Sequence, residues 1–281
     1  MCRCTLDKTN LLSKDDFDIR FISLTPSLCR GNVSHSVYVN PLIYNDKLDI
    51  PIYRYMSFEH LIMMLDKKVL FIPNRQRFSD LREKGETYKK SLEEYNHTLN
   101  VLPSYRWKKF MCTRKERYLQ IWQQTVSCWT YDNHPKVGQR ELDENYIMWQ
   151  CHKEKPFVCR IRSSVKRLLD SIRELSNDIL ISDIEYVPIL RYRMENTPSD
   201  IFKKPEEYTF EQEIRIVALH NSIEQCVSVF DVKIPIYPEL LIDEITLSPY
   251  ICPEEEIILS SRLKSRSKEL KIKKSVLMEF K

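Results

Sequence analysis

Glycine is nearly missing from this chain: Gly31, Gly85 and Gly138 are the only three among 281 residues. That scarcity excludes the glycine-rich phosphate loops of dinucleotide-binding and P-loop proteins, which need several glycines within a few positions for close backbone approach to a phosphate. Long apolar runs are missing too. No stretch reaches the roughly 18 apolar residues that a membrane helix needs, and the opening MCRCTLDKTNLLSKDDF lacks the apolar centre of a signal peptide. A cytoplasmic location with no membrane partner is expected. An excess of one charge is also missing, because 44 basic side chains stand against 40 acidic ones for a net charge of +4. Such a balance permits nucleic-acid contact without arguing for it. The nine cysteines contain no Cys-x-x-Cys pair, and an odd count in a chain with no export signal reads as reduced thiols. Cys2 and Cys4 supply two of the four ligands that a closed zinc site needs, so no metal is expected.

What is present is a mixture of helical and strand patterns. Residues 51–56, PIYRYM, read as a strand, and Ser57 then caps a helix whose Phe58, Leu61, Ile62 and Leu65 form one stripe. Strand patterns recur at 69–74, 125–131, 157–162, 178–189, 213–219, 226–236 and 241–248. Helices are expected at 144–152 and 163–175. A last helix begins at Pro253, with Glu254, Glu255 and Glu256 beside its positive end. Few strictly alternating βα units occur, so the fold class is α+β: a single domain with a mixed, mostly antiparallel sheet flanked by helices. Residues 1–37 read as an N-terminal extension and 38–281 as the domain. The charged stretch 82–124 reads as a helical insertion outside the sheet.

The segment YTFEQEIRIVALH, residues 208–220, is expected to form one strand. Period-two alternation buries Phe210, Ile214 and Ile216 and turns Glu211, Glu213 and Arg215 together onto the other face. That face is either a solvated sheet surface or the wall of a site. Within it, Arg215 can neutralise Glu211. On the strand at 51–56, Arg54 falls opposite Tyr53 and Tyr55, which directs it toward the same cleft.

The order of motifs carries a resemblance. IYRYMSFEHLIMMLDKKVLFIPNRQRFSDLRE, then VSCWTYDN, YIMWQCH, YTFEQEIRIV and IDEITLSPY together resemble the largely bacterial family catalogued as domain of unknown function 2971, over residues 38–280. Ser79, Asp80 and Leu81 stand where that family has Asn-Asp-Pro. The arrangement is also similar to the three-part signature of ADP-ribosyltransferases: a basic residue on an early strand, a hydroxyl residue on a middle one, and Glu-x-Glu on a later one. The resemblance implies an ADP-ribosyltransferase-like fold that uses NAD as substrate. It implies Arg54 on the dinucleotide, Ser127 and Thr130 as the middle part, and Glu213 with Glu211 as the catalytic pair. Tyr208, Trp129, Tyr131 and Trp149 would offer stacking surfaces. The acceptor would be a protein or nucleic acid, or water for a glycohydrolase, in a setting of bacterial stress or phage defence.

The chemistry fits those residue types. Cleavage of the nicotinamide–ribose bond builds positive charge on the sugar, which a nearby carboxylate stabilises more in the transition state than in the ground state. A guanidinium offers a planar fork of donors to a diphosphate. Glu211 is placed to act as base toward an acceptor. Three other readings stand beside this one. Cys128 or Cys151 with His60, His134, His152 or His220 would make a thiol enzyme. Basic residues 106–109 and 114–117, interleaved with Tyr105, Phe110 and Tyr118, would give a nucleic-acid face. A binding module would keep the family fold without catalysis. A cleft grouping Arg54, Ser127 and Glu213 is expected of the enzyme, and their separation across the sheet is expected of the module.

Overall fold

The protein is described by a computed structural model over residues 11–24, 35–78, 93, 97, 120, 123–131, 144–153, 157–189, 197–220, 230–267 and 269–277. The strands are β1 (Ile22–Leu24), β2 (Val37–Val39), β3 (Pro51–Ser57), β4 (Val69–Ile72), β5 (Thr125–Thr130), β6 (Val158–Ser164), β7 (Ile179–Asp183), β8 (Glu185–Val187), β9 (Lys203–Pro205), β10 (Glu213–Ala218), β11 (Val232–Pro235), β12 (Glu244–Leu247) and β13 (Lys271–Lys274). Nine of them form one sheet in the order β1-β2-β7-β10-β5-β3-β6-β12-β13. The joins β2–β7 and β12–β13 are parallel and the rest antiparallel. Two small sheets, β4–β11 and β8–β9, complete the set. The architecture is a single α+β domain with a mixed sheet flanked by helices.

The helices whose full span lies among the described residues are α1 (Pro41–Asp46), α2 (Phe58–Lys67), α3 (Tyr146–His152), α4 (Val165–Ser171), α5 (Pro238–Leu241) and α6 (Pro253–Lys264). Each starts where the sequence offers a cap or a proline. The Ser57 hydroxyl accepts the His60 N–H at 3.3 Å, and Ser164 accepts the Arg167 N–H at 3.2 Å. Helix α2 buries Phe58, Leu61, Ile62 and Met64. Met64 thus takes the place expected of Leu65, which packs half-buried at the edge of the core. Among the described residues no helix is long and apolar enough to cross a membrane.

Alternation along the strands divides the side chains between two faces. One face carries Ile52, Met56, Trp129, Ile161, Ile214 and Ile216 into the main core beneath α2, α4 and α6. The other face bears two separate apolar patches. Phe17, Val126, Leu180, Ile201, Phe202 and Val217 cover its β7–β10–β5 half. Tyr55, Trp149 and Val158 cover its β3–β6 half. Residues 11–24, within the segment expected as an extension, bring Leu12 and Phe17 into buried positions and add β1 to the sheet edge.

The strand expected at 208–220 is shorter. Residues Glu206–Glu211 form a 3-10 turn, Gln212 adopts a left-handed conformation at φ 40°, and only then does β10 begin. Every residue of β10 is buried, so the outward charged face expected of it does not exist. Residues 178–189 divide into β7 and β8 at Ile184, whose N–H donates to the Glu213 carbonyl at 3.0 Å. Of the insertion expected at 82–124, all but residues 93, 97, 120, 123 and 124 lie outside the described residues. Gln120, Gln123 and Gln124 are buried. The Gln120 side chain accepts the Leu12 N–H at 2.7 Å.

His220 follows β10, and its burial makes it a reporter of the fold. Burial pushes its imidazole down to about 4, against an opposing backbone hydrogen bond with Gln123. A histidine kept neutral in the folded state gives no penalty above its ordinary value near 6.5 and costs stability as pH falls from there toward the folded value. Urea midpoints of the wild type should therefore fall between pH 6.5 and 4, and His220→Gln should flatten that slope.

Candidate active site

Strands β3 and β5 meet at a single pair, Tyr53 opposite Thr130. On its other side β3 pairs with β6 from Pro51 to Ser57, and β5 pairs with β10 from Thr125 to Thr130. The sheet is thus two well-zipped halves joined at one point. A cavity of about 440 Å³ opens at this seam, between the two apolar patches of the second face. Its size is that of a small-molecule site. Tyr53, Arg54 and Tyr55 of β3, Cys128, Trp129 and Thr130 of β5, and Lys204, Glu211 and Glu213 line it. Met148, Cys151 and His152 of α3 enclose it from one side, and Pro73, Arg77 and Phe78 from another.

Helix α3 is held in place by buried polar contacts. Asn145 caps it by accepting the Met148 N–H at 3.1 Å and donates to the Phe210 carbonyl at 3.2 Å. Glu144 accepts the Trp149 indole N–H at 3.0 Å. Trp149 in turn meets Tyr55 edge-on at 4.9 Å, and Tyr55 stacks on His152 at 5.7 Å. This chain of rings fixes the wall beside the seam.

Glu213 and Arg215 are each 3 % exposed. The Arg215 Nε donates to Glu213 Oε1 at 2.6 Å, and its Nη1 donates to the Ile201 carbonyl at 2.5 Å. Lys204 brings its ammonium to 2.7 Å from Glu213 Oε2 and also bonds to Glu211. The Tyr186 hydroxyl accepts the Glu213 N–H at 2.9 Å. Burial pushes the Glu213 carboxyl up, but Arg215 and Lys204 outweigh it and hold the group below the usual carboxylate range. Arg215 therefore neutralises Glu213 rather than Glu211.

Arg54 is placed differently. Tyr53, Thr130 and Glu213 lie in one row across the sheet, so Arg54 leaves the opposite face from Glu213. The single polar face expected from the two strands is not what brings them to one cavity; the open seam is. The Arg54 guanidinium lies over the Trp129 ring at 5.9 Å and donates to the Phe71 carbonyl at 3.3 Å. Among the described residues no carboxylate pairs with it. Burial pushes it down to about 10.

Thr130 lines the cavity and donates its hydroxyl to the Glu211 carbonyl. Ser127 does not line it: the hydroxyl is buried and accepts the Trp129 indole N–H at 3.0 Å. Tyr208 does not line the cavity; the Lys204 ammonium sits 5.2 Å from its ring centre. Of the proposed stacking residues, Trp129 lines the cavity, while Trp149 is fully buried and the Tyr131 hydroxyl donates to Asp183 at 2.7 Å. Both cysteines of the thiol reading, Cys128 and Cys151, line the cavity. Burial and the nearby Glu211 charge push the Cys151 thiol up, with Lys204 opposing, which disfavours the thiolate. Lys204 gave no signal in the sequence, because a lysine before proline has neither periodicity nor motif to mark it.

No protein-family model matches the chain, and no curated protein matches it.

Because Glu213 is buried between two cations, Glu213→Gln should cost about 3–5 kcal/mol of stability, far more than an exposed strand carboxylate would. A carboxyl whose folded value is depressed stabilises the fold above its unfolded range near 4, and that contribution is lost as pH falls through the folded value. The gap between wild-type and variant urea midpoints should be wide at pH 7 and should narrow in acid.

Proposed function

We propose that the seam cavity binds NAD and that the protein transfers its ADP-ribose to a protein or nucleic-acid acceptor, or to water. The observation that carries this reading is Arg54, a half-buried guanidinium that lines the cavity, donates to the Phe71 carbonyl and has no carboxylate partner among the described residues. A buried charge without a counter-ion is costly, and a diphosphate entering the cavity would supply one in the bidentate geometry that arginine favours. The adjacency of β10, β5 and β3, which carry Glu213, Thr130 and Arg54, supports the reading. Trp129, Tyr53 and Tyr55 add flat surfaces for the nicotinamide or adenine ring.

In this reading the bond between the nicotinamide nitrogen and the ribose carbon breaks, both electrons leave with the ring, and nicotinamide departs neutral. The carboxylates of Glu213 and Glu211 stabilise the oxocarbenium-like sugar. Water or an acceptor then attacks the sugar carbon and loses its proton to Glu211, which passes it to solvent. The kinship with the domain-of-unknown-function family is part of the same proposal, and with it a role in bacterial stress or phage defence.

Two observations favour a second reading. Glu213 already holds Arg215 and Lys204 and leaves the sheet on the face opposite Arg54, and Ser127 stays outside the cavity. This separation across the sheet is what is expected of a binding module that retains the cavity without bond cleavage.

Calorimetry with NAD on wild type and Arg54→Met tests the proposal. The variant should lose at least about tenfold in affinity, the order of one charge-assisted contact, with its thermal midpoint unchanged or raised. Labelled NAD should release nicotinamide with the wild type. NAD binding without release would select the module, and no binding at all would refute both uses of the cavity.

A further inference from the structure

Lys204 is where the charges of the cavity converge. Its side chain is 4 % exposed, and its ammonium bonds to Glu211 and lies 2.7 Å from Glu213 Oε2. The two carboxylates belong to different elements, since Glu211 ends the 3-10 turn and Glu213 opens β10. The left-handed Gln212 between them interrupts the extended backbone and lets both turn toward one cation. Left-handed backbone is unfavourable for a non-glycine residue, so the convergence is held against local strain. Two carboxylates brought onto one ammonium are near neighbours, and near neighbours of like charge lower their energy by keeping a proton unless a cation stands between them.

We propose that Lys204 is a positioning residue: it keeps Glu211 and Glu213 both ionised and ties the 206–211 turn to β10, so that the carboxylates work as two charges and not as a proton-sharing pair. Among the described residues, the groups facing the pair include Arg215 on β10, Tyr186 on β8, Tyr208 on the turn, Cys128 on β5 and Cys151 on α3. Of these, Arg215 holds Glu213. Lys204 contacts both carboxylates, so its removal raises the proton affinity of the pair. Among the described residues, Lys204 and Arg215 face the two carboxylates, Arg77 pairs with Asp231, and Arg54 has no carboxylate partner. The catalytic consequence rests on the NAD reading above. The electrostatic one does not.

The first measurement therefore needs no ligand. Carboxyl carbon-13 resonances of glutamate-labelled protein are titrated in wild type, Lys204→Met, Lys204→Arg and the double variant Lys204→Met/Glu211→Gln. Lys204→Met should show one carboxyl titrating about one unit higher than any in the wild-type pair; Lys204→Arg and the double variant should lack it. Identical titrations in wild type and Lys204→Met would overturn the proposal. If Lys204→Met fails to fold, the added Glu211→Gln should restore its thermal transition by removing the repulsion, and failure to restore it would count equally against the role. A second measurement follows nicotinamide release against pH, whose acid limb should move upward in Lys204→Met. A shifted titration with no NAD cleavage by the wild type would refute the NAD reading and leave Lys204 in its role.

Discussion

Everything distinctive about the cavity depends on β3 and β5 touching at one residue pair. A fully zipped β3–β5 ladder would carry backbone hydrogen bonds from Tyr53 onward and bring neighbouring side chains to within a few ångströms. Because pairing stops at Tyr53 and Thr130, side chains from opposite faces of the sheet can reach one space. Arg54 and Glu213 could not share a cavity in a closed sheet. The halves stay rigid despite the gap, since β3 is zipped to β6 over seven residues and β10 to both β5 and β7. The opening therefore follows from the strand pairing, and Pro73, Arg77, Phe78 and the 206–211 turn complete its walls.

Burial of so many charges beside that seam has an energetic logic. Glu213, Arg215 and Lys204 are each nearly inaccessible, and moving such groups out of water costs several kcal/mol per ion. Mutual pairing recovers much of this for the glutamate, the lysine and Arg215, which also bonds to the Ile201 carbonyl. The network adds specificity of arrangement more than net stability: it joins β9, the 206–211 turn and β10 in one register. Arg54 is only half-buried and has no carboxylate partner among the described residues; the Phe71 carbonyl and the Trp129 ring meet its guanidinium instead.

Much of the fold was legible because it follows local rules. The strand at Pro51–Ser57, the Ser57 cap and the helix from Pro253 are decided by alternation, a hydroxyl at the cap and a proline in the first turn, all within a few residues. The site was legible only in part. Glu-x-Glu-x-Arg read as one strand face because nothing local reveals that Gln212 turns left-handed and divides the turn from the strand. The burial of that face comes from Ile201, Phe202 and Lys204, which approach from another segment of the chain. Alternation correctly separated Arg54 from Tyr53 and Tyr55. It could not reveal that the row through Tyr53 and Thr130 ends at Glu213, because strand register between distant segments is a tertiary property.

The same register argument explains why Ser127 stands apart from its expected partners. Ser127 and Trp129 share a face of β5, and the indole N–H, once buried in the main core, needs an acceptor. The Ser127 hydroxyl is two residues away on the same face and meets that need at 3.0 Å. Its role is thus set by the tryptophan. The hydroxyl that does reach the cavity belongs to Thr130, on the other face, where it holds the Glu211 carbonyl and so the end of the turn. A motif written as hydroxyl, spacer, hydroxyl on one strand places its members on faces chosen by parity. An odd separation, as from Ser127 to Thr130, splits them between core and site.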